Sequence, residues 1–195
     1  MHLNTEKFNL NRYFLIILLK KKMKKIVTIL LIMTSFNSIN AQKNISVVPS
    51  VDLNRYSGTW YEIARLPIYF ESKLKCITAT YILREDGNIT VVNKGHYVAN
   101  PEKTNTAKGK AFIPDRNSPG KLKVQFFWPF KGDYWIMYLD KEYKYVLIGE
   151  PSFKYLWILA REKKMDESTF QMLSNKAVES GYDLSNLIRT VQDCN

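Results

Sequence analysis

The sequence predicts an all-β protein: an eight-stranded antiparallel up-and-down barrel with one C-terminal α-helix packed on its outside. Three observations carry this. Short runs rich in β-branched and aromatic residues recur at even spacing, joined by hairpin-length links, through most of the chain. A helical period appears only once after them, around Phe170, Leu173 and Ala177. The first run opens Tyr56-Ser57-Gly58-Thr59-Trp60; Gly58 removes a Cβ at the turn into the strand, and Trp60, two residues on, is large enough to floor a closing barrel. Eight antiparallel strands close around a space that holds one small ligand.

The elements follow in order. The first strand, Tyr56 to Arg65, comes after the polar lead-in Ser50 to Arg55. Pro67 to Lys75 is irregular but carries Ile68, Tyr69, Phe70 and Leu74. A loop this apolar is either a lid over a cavity mouth or an Ω-loop packed on its own side chains. Ile77 to Arg84 leads through the tight turn Glu85-Asp86-Gly87-Asn88 into Ile89 to Val98. Asn100-Pro101-Glu102 turns the chain into Ala107 to Ile113, and Pro114 to Gly120 turns it again into Lys121 to Phe127. Pro129 to Gly132 is the next turn, and Tyr134 to Leu139, Tyr145 to Gly149 and Tyr155 to Glu162 complete the strands. Asp166 then caps the helix, with Glu167 in its first turn and Gly181 as its stop. Leu187 to Gln192 reads as a short last strand that brings Cys194 back to the barrel.

A chain of 195 residues is expected to form one domain after its leader. Met23 begins a run with two lysines, an apolar stretch from Ile26 to Met33, a polar tail and Ala41. This is the layout of a secretory signal peptide starting at Met23 and cleaved after Ala41, leaving residues 42–195 as the folded domain. The apolar stretch is too short to span a bilayer. No cysteine precedes Cys76, so the leader offers no site for a lipid anchor, and the mature chain is expected in the periplasm, at the outer membrane or outside the cell.

Of the formal charge of +11, just over half falls in residues 1–41. Of 29 basic and 18 acidic side chains, seven and one fall in residues 1–41, so residues 42–195 hold 22 against 17, scattered among strands and turns. That excludes nucleic acid as a partner. The two cysteines suit an oxidising compartment and are read either as two free thiols or as a bridge. A bridge would close a loop of more than a hundred residues, worth at most ~4 to 5 kcal/mol.

Catalysis finds no footing. His2 lies in the leader, and His96 has no nucleophile beside it in the sequence pattern. Metal-ligand spacing, a phosphate loop, a dinucleotide fingerprint and G-x-S-x-G are all missing. The pairs Glu85-Asp86 and Asp166-Glu167 fall in a turn and a cap. The chain is read as a binding protein without metal or cofactor.

Gly58-Thr59-Trp60-Tyr61-Glu62-Ile63-Ala64-Arg65 resembles the first motif of the lipocalins, and Tyr155 to Arg161 (Y-L-W-I-L-A-R) their third. With Ala79 to Gly87, Asn93 to Gly95 and Asp133 to Asp140 in the right order, the likeness extends over about residues 49–193. It is nearest to the bacterial outer-membrane lipocalins and the apolipoprotein D group. The second motif is looser here, Leu139-Asp140-Lys141-Glu142-Tyr143, with Asp140 in the place of its acid.

The resemblance implies that Trp60 packs beneath Arg161 at the barrel floor, above the turn made by Gly58, and that Cys76 bridges Cys194. A guanidinium over an indole gains a cation–π term and also reaches the carbonyls of the entering chain. If Trp60 points inward, alternation turns Glu62 and Ala64 inward as well, with Glu62 expected near Arg161. Arg161 likewise fixes Trp157 and Leu159. Alignment with the family pattern adds Ala79, Tyr81 and Leu83; Val91 and Asn93; Leu122, Val124 and Phe126; Tyr134, Ile136 and Tyr138; Val146 and Ile148. All of these except Glu62, Leu83, Leu122, Ile136 and Val146 are assigned to the ligand-binding wall.

An aliphatic and aromatic wall with a few hydroxyls and one amide suits a fatty acid, lysophospholipid or similar amphiphile, stored or carried in the cell envelope. The Pro67 to Leu74 loop and the Trp128-Pro129-Phe130 turn would gate the mouth. A pigment or small-molecule scavenger of the haem or bilin type, and a structural barrel filled by its own side chains, are the alternatives. Peripheral membrane contact and the oligomeric state stay open.

Overall fold

The computed structural model describes residues 45–194, so the leader expected over residues 1–41 lies outside the described residues. Asp52 caps a one-turn helix, α1 (Leu53–Tyr56), its carboxylate accepting from the N–H groups of Asn54 and Arg55. The first strand therefore starts at Gly58 and not at Tyr56. It is followed by a single 3-10 turn, Tyr69–Glu71, inside the first link. The strands are β1 (Gly58–Arg65), β2 (Leu74–Leu83), β3 (Ile89–Tyr97), β4 (Asn100–Phe112), β5 (Lys121–Phe127), β6 (Phe130–Leu139), β7 (Tyr145–Gly149) and β8 (Leu156–Ala160). Helix α2 (Glu167–Glu179) and the two-residue strand β9 (Ile188–Arg189) complete the fold.

Each strand pairs antiparallel with the next from β2 to β8, β8 pairs β1, and β1 pairs β2, which closes the barrel. Two links are shorter than the sequence predicts. Asn100-Pro101-Glu102 is not a turn but the start of β4, and Phe130 to Gly132 belong to β6. In both places a register shift absorbs the irregular residues, between His96 and Tyr97 of β3 and between Val124 and Phe127 of β5. A bulge tolerates a proline that has no N–H to give to the ladder.

The closure between β1 and β2 covers only Gly58 to Tyr61 of β1. Beyond it the two strands part, and the C-terminal segment fills the seam. Ala64 and Arg65 pair with β9, the Cys76 N–H donates to Val191 O, and the Gln192 amide donates to the carbonyls of both Glu62 and Ile77. The Cys76–Cys194 disulfide fixes this strap to β2 across 118 residues of sequence.

Among the described residues the buried apolar side chains form two clusters. One fills the barrel around Trp60, Tyr81, Ile136, Val146 and Ile148. The other lies between the outer face of the sheet and α2, where Phe170, Leu173 and Ala177 meet Ile63, Leu147 and Ile158. The spacing of those three helix residues puts them on one stripe, as the period in the sequence requires. Asp166 caps α2 by accepting from the Ser168 hydroxyl, the Thr169 hydroxyl and the Thr169 N–H, and these bonds hold its carboxyl down at about 2.

Candidate functional site: the barrel interior

The interior is built upward from its floor. Gly58 has φ +96, and a Cβ there would stand 3.2 Å from Arg161 Nη1, so the chain both turns and yields to the guanidinium at this residue. The Arg161 Cζ lies 3.9 Å from the Trp60 ring centroid. Its Nη groups donate to the carbonyls of Arg55, Tyr56, Ser57 and Thr59, and its Nε to that of Tyr143. Asp140 holds the adjoining hairpin by accepting from the N–H groups of Glu142, Lys144 and Tyr145. Three separate sequence motifs thus meet at one end of the barrel.

Above Trp60, three phenols form a knot. Tyr134 shares hydrogen bonds of 2.6 Å with Tyr56 and 2.8 Å with Tyr81, all buried. Burial pushes all three phenols above their ordinary range, so they stay neutral hydroxyls. Ile89, Leu122, Ile136, Val146 and Ile148 are also fully buried around them. Tyr81, Val91, Tyr134, Ile148 and Leu159 all belong to this cluster.

Other interior positions are less tightly covered. Ala79, Val124, Phe126 and Trp157 pack against the interior cluster yet remain only partly buried. Phe126 lies against Gly109, where a Cβ would stand 2.7 Å from its ring. Asn93, opposite Ala79, has a buried Oδ1 without a hydrogen-bond partner.

Two side chains expected in the wall are outside it. Ala64 and Tyr138 belong to the cluster beneath α2, and Lys176 Nζ sits 5.0 Å from the Tyr138 ring centroid. The cause is the same in both: register shifts between Glu62 and Ala64 of β1, and between Ile136 and Tyr138 of β6, reverse the alternation.

The first of those bulges also brings in a residue that strict alternation missed. Glu62 and Arg65, three apart, pair with Leu159 and Trp157, which belong to the interior cluster. Glu62 is thus not at the floor beside Arg161. Its carboxylate accepts from Arg65 Nη1 at 3.0 Å and from Thr190 Oγ1. Glu71, from the first link, faces Arg65 Nε at 3.4 Å and accepts from the Trp157 indole N–H at 3.4 Å. All three charged residues are at least 95% buried. One guanidinium between two carboxyls cannot balance both in an apolar surround. Burial, then the charge of Glu71, push Glu62 up to about 8 despite Arg65. Burial also raises Glu71. The signal in the sequence is Glu62-Ile63-Ala64-Arg65 itself: charges three apart in a strand suit one face only when a bulge intervenes.

A chemical step finds no constellation here. Among the described residues, the cluster with metal-ligand spacing is Cys76, Asp193 and Cys194, and its two sulfurs are bonded to each other. His96 Nδ1 is taken up by the Pro101 carbonyl at 2.7 Å near the mouth. What the interior offers is an apolar lining over a floor made of three neutral phenols and the Trp60–Arg161 pair.

The description "Lipocalin-like domain" matches residues 51–192. The chain belongs to the lipocalin family. It is 42% identical over 160 residues to temperature-induced lipocalin-1 of Arabidopsis thaliana, covering 77% of this chain and 84% of that one. It is 40% identical to the outer membrane lipoprotein Blc of Citrobacter freundii, over 83% of this chain and 91% of that one. Apolipoprotein D of Mus musculus is 36% identical, over 75% and 79%. Among solved structures, insecticyanin of the tobacco hornworm Manduca sexta superposes with a TM-score of 0.60 at 23% identity, covering 75% of this chain and 84% of that one. Lobster apocrustacyanin A1 gives 0.59 at 17%, over 77% and 93%. These two share the fold. Lipocalins are binding and transport proteins for small hydrophobic molecules, and the fold described above is that of the family.

Proposed function

We propose that this lipocalin is exported and carries a fatty acid, lysophospholipid or similar amphiphile within the cell envelope. The observation that supports this best is the division of the interior. Its floor is closed by Trp60 beneath Arg161 and by the three bonded phenols, while Ala79, Val124, Phe126 and Trp157 pack on the interior cluster and stay partly buried. An acyl chain laid along that wall gains roughly 0.8 kcal/mol for each CH₂ removed from water. Its polar head stays near the mouth, on the side of the Arg65 cluster. Export fits the disulfide and the leader pattern from Met23 to Ala41. The relatives named as an outer membrane lipoprotein and an apolipoprotein point the same way.

The test is native mass spectrometry of the protein expressed from Met1 and recovered as the cell leaves it, before and after solvent extraction, followed by titration with oleate. A lipid-sized mass should be lost, and oleate should change the emission of the wild type more than that of Trp157→Phe. If neither happens, the carrier reading fails. A visible absorbance band in the purified protein would replace it with the pigment reading.

A further inference from the structure

The open end of the barrel is made by the links 66–73, 98–99, 128–129 and 150–155, which join β1 to β2, β3 to β4, β5 to β6 and β7 to β8. Large apolar side chains stand outward on all four of them or at their edges, Val98 on the second. Tyr69 is 94% exposed, Trp128 87%, and Phe127 and Phe130 77% each, with Phe70 and Tyr155 beside them. Such exposure sets them apart from Phe126 and Trp157, which pack on the interior cluster and are partly shielded. The opposite end is different in kind. Its links carry exposed Arg84, Glu85, Asp86, Asp115, Arg116, Lys141 and Glu142, and none of the large exposed apolar side chains among the described residues.

Charge adds a second, independent asymmetry. Lys73, Lys103, Lys131 and Lys154 are exposed in or next to the mouth links. Of the acids there, Glu71 is buried against Arg65, and Glu150 is buried, its carboxylate accepting from the backbone of Ser152, Lys154 and Tyr155. Glu102 is the exposed one. The rim is therefore aromatic at its tips and net basic between them.

We infer that this rim docks mouth-down on the surface of a phospholipid bilayer containing anionic headgroups. Tryptophan and tyrosine settle at the level of the headgroups, where one end of the ring is dry and the other wet. Lysines set back from the tips meet the anionic surface. A second copy of this chain is the poorer occupant, because a mouth-to-mouth pair would bring the same lysines against each other. Docked this way, the barrel entrance faces the acyl layer, and a lipid passes between bilayer and barrel without crossing water. The inference stands on the rim and not on the identity of the ligand.

Co-sedimentation with vesicles of phosphatidylglycerol and phosphatidylethanolamine, and with phosphatidylcholine vesicles, tests it. The protein should pellet with the anionic vesicles, and less so in high salt. Trp128→Ser with Phe130→Ser should lower the partition coefficient about tenfold or more, and Lys131→Glu with Lys154→Glu about tenfold on anionic vesicles alone. Lys141→Glu with Lys144→Glu, at the far end, should leave it unchanged. Every altered residue is exposed, so each variant is expected to keep the wild-type Tm. The inference is overturned if the wild type stays in the supernatant, or if the rim variants pellet as it does. It is equally overturned if sedimentation velocity shows a dimer that Trp128→Ser with Phe130→Ser abolishes. Loss of oleate binding with vesicle binding intact would sink the carrier reading and leave this one standing.

Discussion

The Arg161 guanidinium covers the Trp60 indole at 3.9 Å while its Nη groups donate to four carbonyls of residues 55–59. One side chain therefore both closes the barrel and satisfies the backbone of α1 and the turn after it. A lysine has the charge without the planar fork, so it keeps part of the cation–π attraction and abandons most of those carbonyls. Arg161→Lys is expected to cost about 2 to 3 kcal/mol. Thermal unfolding should show this as a Tm lowered by roughly 5 to 10 °C. An unchanged Tm would mean the floor is held by packing alone.

The Glu62–Arg65–Glu71 cluster predicts how stability depends on pH. Glu62 goes from an ordinary 4.5 in the unfolded chain to about 8 when folded. The folded state then holds the proton more tightly, so this contribution is fully present below 4.5 and is lost as pH rises through about 8. Glu71, raised for the same reason of burial, acts with the same sign. The midpoint of urea unfolding should therefore fall between pH 5 and pH 8.5. In Glu62→Gln, which keeps an oxygen to accept from Arg65 and Thr190, the fall should be markedly shallower. Parallel curves for the two proteins would show that Glu62 is ionised throughout.

The disulfide is expected to govern the seam between β1 and β2 as well as global stability. Cys76 and Cys194 close a loop spanning 118 residues, and the segment they hold donates or accepts across both strands. Replacing both by serine should cost about 2 to 5 kcal/mol. It should also speed exchange of amide protons in β9 and at Cys76 far more than in β6 and β7, since the freed strap frays locally before the barrel opens. Uniform acceleration would place the whole effect in the unfolded chain.

Much of this was legible in the chain, for reasons that differ by element. Strand-length runs rich in β-branched and aromatic residues, bounded by turn chemistry, located all eight strands. Trp60, Arg161 and the two cysteines followed from motifs. What the sequence hid was register. Glu62 to Arg65 and Ile136 to Tyr138 each contain an extra residue that a period of two cannot accommodate. Ala64 and Tyr138 consequently face α2, and Arg65 faces inward. Bulges depend on the partner strand's spacing, and only the charges three apart at Glu62 and Arg65 hint at one locally.

That correction yields the sharpest test of the binding wall. Phe126 and Tyr138 are both partly buried aromatics on neighbouring strands, and strict alternation places both in the cavity. In the structure Phe126 packs with the interior, over Gly109, whereas Tyr138 packs beneath α2 with Lys176 at its ring. Phe126→Ala should weaken oleate about tenfold, because one aromatic contact to an acyl chain is worth on the order of 1 to 2 kcal/mol. Tyr138→Ala should leave the affinity within about twofold and instead lower Tm by several degrees through lost packing of the helix. Isothermal titration and thermal melts on the two proteins separate the effects. Should Tyr138→Ala be the one that weakens oleate, the ligand would bind under α2 and not in the barrel. The second cluster would then be the site.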